Sequence, residues 1–469
     1  MAMLLLGQNA WALELDLSKI KLDGSLDLKS QSANNETDFS DKNATEDQRN
    51  STRHKLTLGL GGELTDGVSV KVEAVRTPLN NGASTAGQFG QAAQTPHGET
   101  LNFRLENANL TIDDVILEVG ATLGRQYVGK ADSLVLFAGH YDDDNLTVAG
   151  VDAVKLWRKV GPVDVNYLHA TTNDTKTLAG NDYTGGGNRR VVRSLGVGLN
   201  LKEVTGQDML DVPLTAAWHH GTDQVTNTTA DNLNLGIYEL NASVNLLDGM
   251  LGLGLDWASN SGQQNTGATT KVDFKGDLTA LKGMVNLKDV GLKLGVELAQ
   301  ASGDDGSTAT QDKSFHDMTY FGLAPRKNYG EILGKSNALG NTVSVGGSPV
   351  LQGLDSGVNT AGAVAVGGGL SVTALNAAYT LPVMDNKLSV SADYLTAEID
   401  KLTAAQSAAG LVKDIGSEID VAVSYMKSDN IMFKVGAAQF DPDAKSALLA
   451  NGPMADTITK YFANATVKF

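Results

Sequence analysis

The end of the chain, Thr457 to Phe469, constrains the fold more than any other stretch. Phe469, Val467, Ala465, Ala463 and Tyr461 share one parity, and Lys468, Thr466, Asn464 and Lys460 share the other. A period of two means a strand with one apolar and one polar face. The last residue is an aromatic that carries the chain's own carboxylate. A transmembrane β-barrel closes with a strand of this kind, apolar toward lipid and polar toward the lumen.

The same theme runs back through the chain. Ile20, Leu22, Leu26 and Leu28 oppose Lys21, Asp23, Asp27 and Lys29. Leu292, Leu294, Val296 and Leu298 oppose Lys293 and Glu297, and Ile419, Val421 and Val423 oppose Glu418, Asp420 and Ser424. Strand starts are expected near Leu17, Thr52, Val68, Glu99, Val115, Thr147, Val163, Arg190, Val212, Leu233, Met250, Lys271, Leu292, Gly369, Leu388, Ser417, Ile431 and Thr457. Tight turns, at Asp113-Asp114, Asp248-Gly249 and Ser428 to Asn430 among others, alternate with long polar loops. One rim of a meander would then be tight and the other long. The even strand number places both termini on the tight, periplasmic rim. Phase slips between Ile237 and Leu240 and around Lys155 point to bulges or to misread strand boundaries. A propeller or β-helix would show self-similar motifs at a fixed period, and none is present. The fold class read here is all-β, a transmembrane antiparallel up-and-down barrel of about 18 strands.

The chain's 469 residues would otherwise suggest two or three soluble domains. Mean hydropathy is −0.14, and no run of about 20 apolar residues would make a helical span. Barrel strands escape that test because only half their residues are apolar. The absence of cysteine fits an exported chain without disulfides. Met3 to Leu6, followed by Ala10-Trp11-Ala12, resembles the end of a signal peptide cleaved before Leu13. Residues 1–12 are therefore read as its remnant, and 13–469 as one barrel domain with a long loop at 302–368.

A lumen this wide is water-filled, so function sits with inward charges and with any loop folded inside. Parity turns Arg104, Lys293, Glu297, Asp393, Glu418, Asp420 and Lys434 inward, among other charges. Most such charges pair across neighbouring strands and keep the wall wet. The loop Gln126 to Leu146 carries the apolar run Leu134 to Ala138, which would not stay exposed in solvent. Folding inward would bury it and carry Asp142, Asp143 and Asp144 to a constriction beside Arg125. Arg125 either lines the pore or pins the loop through Asp132 or Asp152. The rival is the loop Ser302 to Gly368, with Phe315, Tyr320, Phe321 and Arg326. Acids outnumber bases among the inward positions, which favours cations.

Two resemblances follow from quoted residues. The terminal strand is similar to the C-terminal signal of bacterial outer-membrane barrels, which implies that Phe469 and Val467 are read by the barrel-assembly machinery. "LGRQ" at Leu123 to Gln126 and "GVDAVKL" at Gly150 to Leu156 resemble the alginate-export type of outer-membrane porin. The matching positions are Gly124, Arg125, Gln126, Gly150, Asp152 and Lys155. The resemblance implies a monomeric 18-stranded barrel with an arginine-rich lumen that passes anionic solutes. This sequence departs from it in having few arginines and a net charge of −17.

Arg189, Arg190 and Arg193 cluster at a strand's outer end, where they would hold lipopolysaccharide phosphates. Asp142 and Asp144 are a weak calcium candidate, without the spacing of an EF-hand. None of the seven histidines lies in a recognisable nucleophile motif, and HExxH, P-loop and dinucleotide fingerprints are absent. The net charge disfavours nucleic acid. The expectation is a porin without catalysis or cofactor, a passive channel for small hydrophilic solutes or ions across the outer membrane. The other reading is a structural or adhesive barrel with a plugged lumen and working loops. The sequence leaves the oligomeric state open.

Overall fold

The computed structural model describes residues 19–34, 48–77, 103–144, 146–174, 188–206, 211–225, 233–265, 271–323, 325, 327, 329–335, 344–345, 348–349, 369–443, 445–446 and 456–469. The signal-peptide reading of residues 1–12 and Arg326 lie outside them.

Eighteen strands form a closed antiparallel barrel. They are β1 (Ile20–Asn34), β2 (Gln48–Thr65), β3 (Val68–Arg76), β4 (Arg104–Ile116), β5 (Val119–Gln126), β6 (Val151–Val160), β7 (Val163–Asp174), β8 (Asn188–Asn200) and β9 (Pro213–Val225). The second half comprises β10 (Leu233–Leu246), β11 (Leu251–Asn265), β12 (Asp277–Leu287), β13 (Leu292–Ala301), β14 (Leu370–Leu381), β15 (Leu388–Ile399), β16 (Asp414–Ser428), β17 (Ile431–Pro442) and β18 (Ile458–Lys468). Each pairs with the next. β18 closes on β1 in continuous register from Ser25↔Lys468 to Asn34↔Thr459. The backbone of Phe469 extends the seam, exchanging hydrogen bonds of 2.9 and 3.0 Å with Gly24.

Closure leaves no sheet edge, the condition for a β-structure in a bilayer. The alternation then sorts itself. Leu294 (43 % exposed), Val421 (47 %) and Tyr461 (60 %) face outward, whereas Lys29, Glu418 and Lys460 on the opposite parity are buried inside.

The structure shifts several boundaries. The turn expected at Asp113-Asp114 falls at Leu117-Glu118, both at positive φ (54° and 62°), because β4 runs on to Ile116 past an irregularity after Ile112. The strand expected from Lys271 splits. Lys271–Phe274 pairs with the end of β11, and the wall strand begins at Asp277.

The phase slips have another cause. Register is unbroken through Ile237 and Leu240 and through Lys155; the irregularities sit elsewhere, at Glu73/Ala74 and Arg190/Val191 for example. What changes is the chemistry of the inner face. On β10, Leu235 and Ile237 point inward near the long-loop rim, and Glu239 follows lower on the same face. β13 carries Glu297 and then Ala299 and Ala301; β15 carries Asp393 and then Leu395, Ala397 and Ile399. The upper lumen is an apolar collar above a polar one.

Two loops fill that collar. In the β5–β6 loop, Leu134, Val135, Leu136 and Ala138 are all at most 5 % exposed. In the β13–β14 loop, Phe315, Met318, Phe321 and Leu323 are fully buried. The loops join through Met318 N–H to the Val135 carbonyl (3.0 Å) and Phe137 N–H to the Leu323 carbonyl (3.2 Å). Burying a Leu or Phe side chain is worth about 1.5–3 kcal/mol, so the collar gives inserted loops a second core inside the barrel.

Candidate functional site

The inserted loops are tied to the wall by ion pairs. Asp144 is fully buried between Lys29 of β1 (2.9 Å) and Lys460 of β18 (2.6 Å). Lys460 also donates to the Glu331 carbonyl at 2.6 Å. Lys335 joins Glu331 (2.9 Å) to Asp142 (2.8 Å). Burial opposes ionisation of Glu331, yet Lys335, Lys460, Lys29 and Lys434 outweigh it and hold the carboxyl far below its usual range. Burial would lower Lys335, but Glu331 and Asp142 hold it above the ordinary lysine range.

A second tether comes from β16. Glu418 accepts the N–H groups of Ile332 (2.7 Å) and Leu333 (2.8 Å), and Asp420 accepts that of Glu331 (3.0 Å). The loop backbone thus forms a small nest for two wall carboxylates. Gly330 makes the approach feasible. Its φ is +89°, and a Cβ there would lie 2.6 Å from the Glu418 carboxylate.

A third tether lies near the long-loop rim. Arg190 donates to Asp223 (3.3 Å) and to the Tyr320 carbonyl (2.8 Å), with its guanidinium 4.1 Å from the Tyr320 ring centre. Tyr320 donates to Asp223 at 2.6 Å. Burial and the Asp223 carboxylate push the Tyr320 phenol up to about 12.

Between the loops and the arc β13 to β17 lies a cavity of about 430 Å³. The wall lines it with Glu297, Asn376, Asp393, Asp420 and Lys434. The loops contribute Asp132, His140, Asp142, Lys327, Tyr329 and Lys335.

The expected site residues divide accordingly. Of the aspartate triad only Asp142 opens onto the cavity; Asp143 and Asp144 are buried anchors. The three therefore do not form an acidic constriction. Two lysine ammonium groups occupy the Asp144 carboxylate, so Asp142 and Asp144 are not a calcium pair. Arg125 does not reach this cavity. It donates to Glu106 at 3.2 Å, lies 3.8 Å from the exposed Asp152, and shares Glu106 with Arg104 (2.7 Å). The carboxylate it engages is thus Glu106 of the neighbouring strand, which also accepts the loop's Gly150 N–H at 2.9 Å. Glu297 and Asp420 line the cavity, whereas Glu418 is sealed behind the nest. Lys293 sits beside the short turn that precedes β13, away from the cavity. Arg190 turns inward, contrary to a lipopolysaccharide contact, because the buried Asp223 draws it there. Arg193 is exposed on the outward parity with Leu195 and Val197.

Sequence reasoning missed Lys335, Lys327, Asn376 and the nest residues, and placed Asp393 and Lys434 only among many inward charges. A sign was available for the loop: a lysine four residues after Glu331, within an apolar stretch.

No protein-family model and no curated protein sequence matches the chain. Among solved structures it is similar to Pseudomonas aeruginosa OccK9 (OpdG), at TM-score 0.55 and 12% identity, over 96% of this chain and 98% of that one. It is similar to the outer membrane protein OprD from Pseudomonas aeruginosa, at TM-score 0.52 and 11% identity, over 96% and 93%. It is also similar to Acinetobacter baumannii OccAB4, at TM-score 0.52 and 11% identity, over 97% and 100%. None of these three carries the alginate-export description that the short motif implied. What they share with this chain is the fold, a closed antiparallel barrel of eighteen strands.

Proposed function

We propose that the chain is a porin, a passive diffusion channel for small hydrophilic solutes or ions in a Gram-negative outer membrane. The short turns lie on the periplasmic side and the long loops outside. One observation carries the reading. The space between loops and wall is a cavity of about 430 Å³ lined by charged side chains. The collar just above shows that this chain can fill its interior with apolar groups where a plug is needed.

The alginate-export resemblance would add anionic solutes, and the arginines do not favour them. Arg104 and Arg125 share Glu106, and Arg190 is bonded to Asp223. Outside the barrel, Arg193 stands in register between His169 and His220 on the outward parity, suited to phosphates of lipopolysaccharide or another lipid headgroup. Phe469 and Val467 end the closing strand, where the assembly machinery would read them.

Planar-bilayer recording tests the channel. Stable open steps are the expected result. A purified, membrane-inserted protein that gives none is a structural or adhesive barrel instead.

A further inference from the structure

We infer that the apolar tips of the short turns, Leu117, Leu247 and Met384, are seated in the periplasmic leaflet of the bilayer, at the boundary between acyl chains and headgroups. The inference rests on the barrel's place in the outer membrane and is independent of the channel reading.

The tips are costly in water. Leu117 joins β4 to β5, Leu247 joins β10 to β11, and Met384 joins β14 to β15. They are 73, 70 and 63 % exposed, and their φ angles are +54°, +54° and +52°. Gly, Asn and Asp enter that left-handed region readily, and bulkier residues seldom do. The β2–β3 turn follows the ordinary pattern, with Gly67 at φ +72°. In water each apolar tip would combine a disfavoured backbone with a bare hydrophobic side chain. Among acyl chains the side chain is buried, and that burial offsets the backbone cost.

The height of the wall points the same way. On β13 the outward apolar run extends from Leu292 to Leu298 and ends at Gln300. Gln300 lies in register with Thr279 of β12 and Ser371 of β14, so a polar line closes the run across three strands. Leu292 to Leu298 spans about 16 Å of height, at about 3.4 Å per residue and a tilt of about 40°. The lipid-facing band of an outer-membrane barrel is about 25 Å tall. Because polar residues close the run above, the missing height lies below, where the turns are. Val290, at the β12–β13 turn, is 56 % exposed, and Val204, between β8 and β9, is 54 % exposed.

The distribution of the tips selects the partner. They run from the β4–β5 turn round to the β14–β15 turn of an eighteen-strand rim, too widely spread for the footprint of one docked protein. A lipid layer surrounds the whole rim and continues the outward face of the strands.

Spin labels test the depth. The chain has no cysteine, so single variants Leu117→Cys, Leu247→Cys and Met384→Cys take one nitroxide each. Leu294→Cys gives the lipid reference, and Ser307→Cys, exposed in the β13–β14 loop, gives the aqueous one. Each protein is inserted into phosphatidylcholine vesicles, and collision with oxygen is compared with collision with a water-soluble nickel chelate. The oxygen-to-nickel ratio at the three tips should lie nearer the Leu294 value than the Ser307 value. Ratios equal to that of Ser307 would overturn the inference and show a bilayer thinned to the height of the strands. Labels shielded from oxygen and nickel alike would overturn it in favour of contact with a second copy of the chain.

Discussion

Asp144 and Lys460 lie 316 positions apart in the chain, yet their carboxylate and ammonium meet at 2.6 Å with both side chains fully buried. Lys29 approaches the same carboxylate at 2.9 Å. Because Lys29 belongs to the first strand and Lys460 to the last, one loop carboxylate straddles the seam from inside.

Breaking that clamp should be costly. Asp144→Asn takes from two buried ammonium groups the carboxylate they share, a loss of about 3–5 kcal/mol. Asp142→Asn, whose carboxylate is largely exposed, should cost about 1 kcal/mol or less. Urea titration of folded protein in lipid, read by heat-modifiable mobility, compares them. Equal midpoints for both variants would remove the clamp from the account.

The outward parity makes a second demand. Arginine at Val421 or Leu294 would face the bilayer and should cost roughly 2–4 kcal/mol near mid-membrane. Lys293→Arg and Ser391→Arg, on the inward parity of β13 and β15, should cost far less. The same titration reads all four, and equal losses at both parities would contradict the face assignment.

Alkali should loosen the third tether at a defined place. The folded Tyr320 phenol is raised to about 12 from an ordinary value near 10. Its hydrogen bond to Asp223 needs the protonated form, so the stability it adds is complete below about pH 10 and is lost as pH rises toward 12. The tyrosinate difference spectrum between wild type and Tyr320→Phe should therefore titrate near 12. A midpoint near 10 would show that the phenol does not hold this contact.

At the seam, deletion of Phe469 removes two backbone hydrogen bonds and a ring that packs on Gly24. Membrane-inserted, heat-modifiable protein should fall sharply. Normal yields from the truncated gene would count against the terminal residue as an assembly signal.

Much of the barrel was legible because its outward face answers to one solvent. Lipid asks the same of Leu294, Val421 and Tyr461, so the period of two survives from strand to strand. The inner face answers to two environments, and there the reading thinned. Ile237 is inward and apolar because a loop covers it, a fact that lies elsewhere in the chain. The aspartate triad looked like one site because its members are consecutive. In the fold Asp142 meets Lys335, whereas Asp144 meets Lys29 and Lys460, and neither set of partners is local. Asp393 and Asp420 had the right parity, but only the register of β15 and β16 makes them neighbours.

The apolar collar also bears on any attempt to widen the pore. Cutting away the inserted loops would not leave a broad, wet tube. It would bare a ring of Leu, Ile, Val and Ala side chains to water just inside the mouth, and such a ring sheds water or gathers greasy molecules. The loops and the collar must therefore be altered as a matched set, with Leu235, Ile237, Leu395 and Ile399 made hydrophilic whenever their covering is removed.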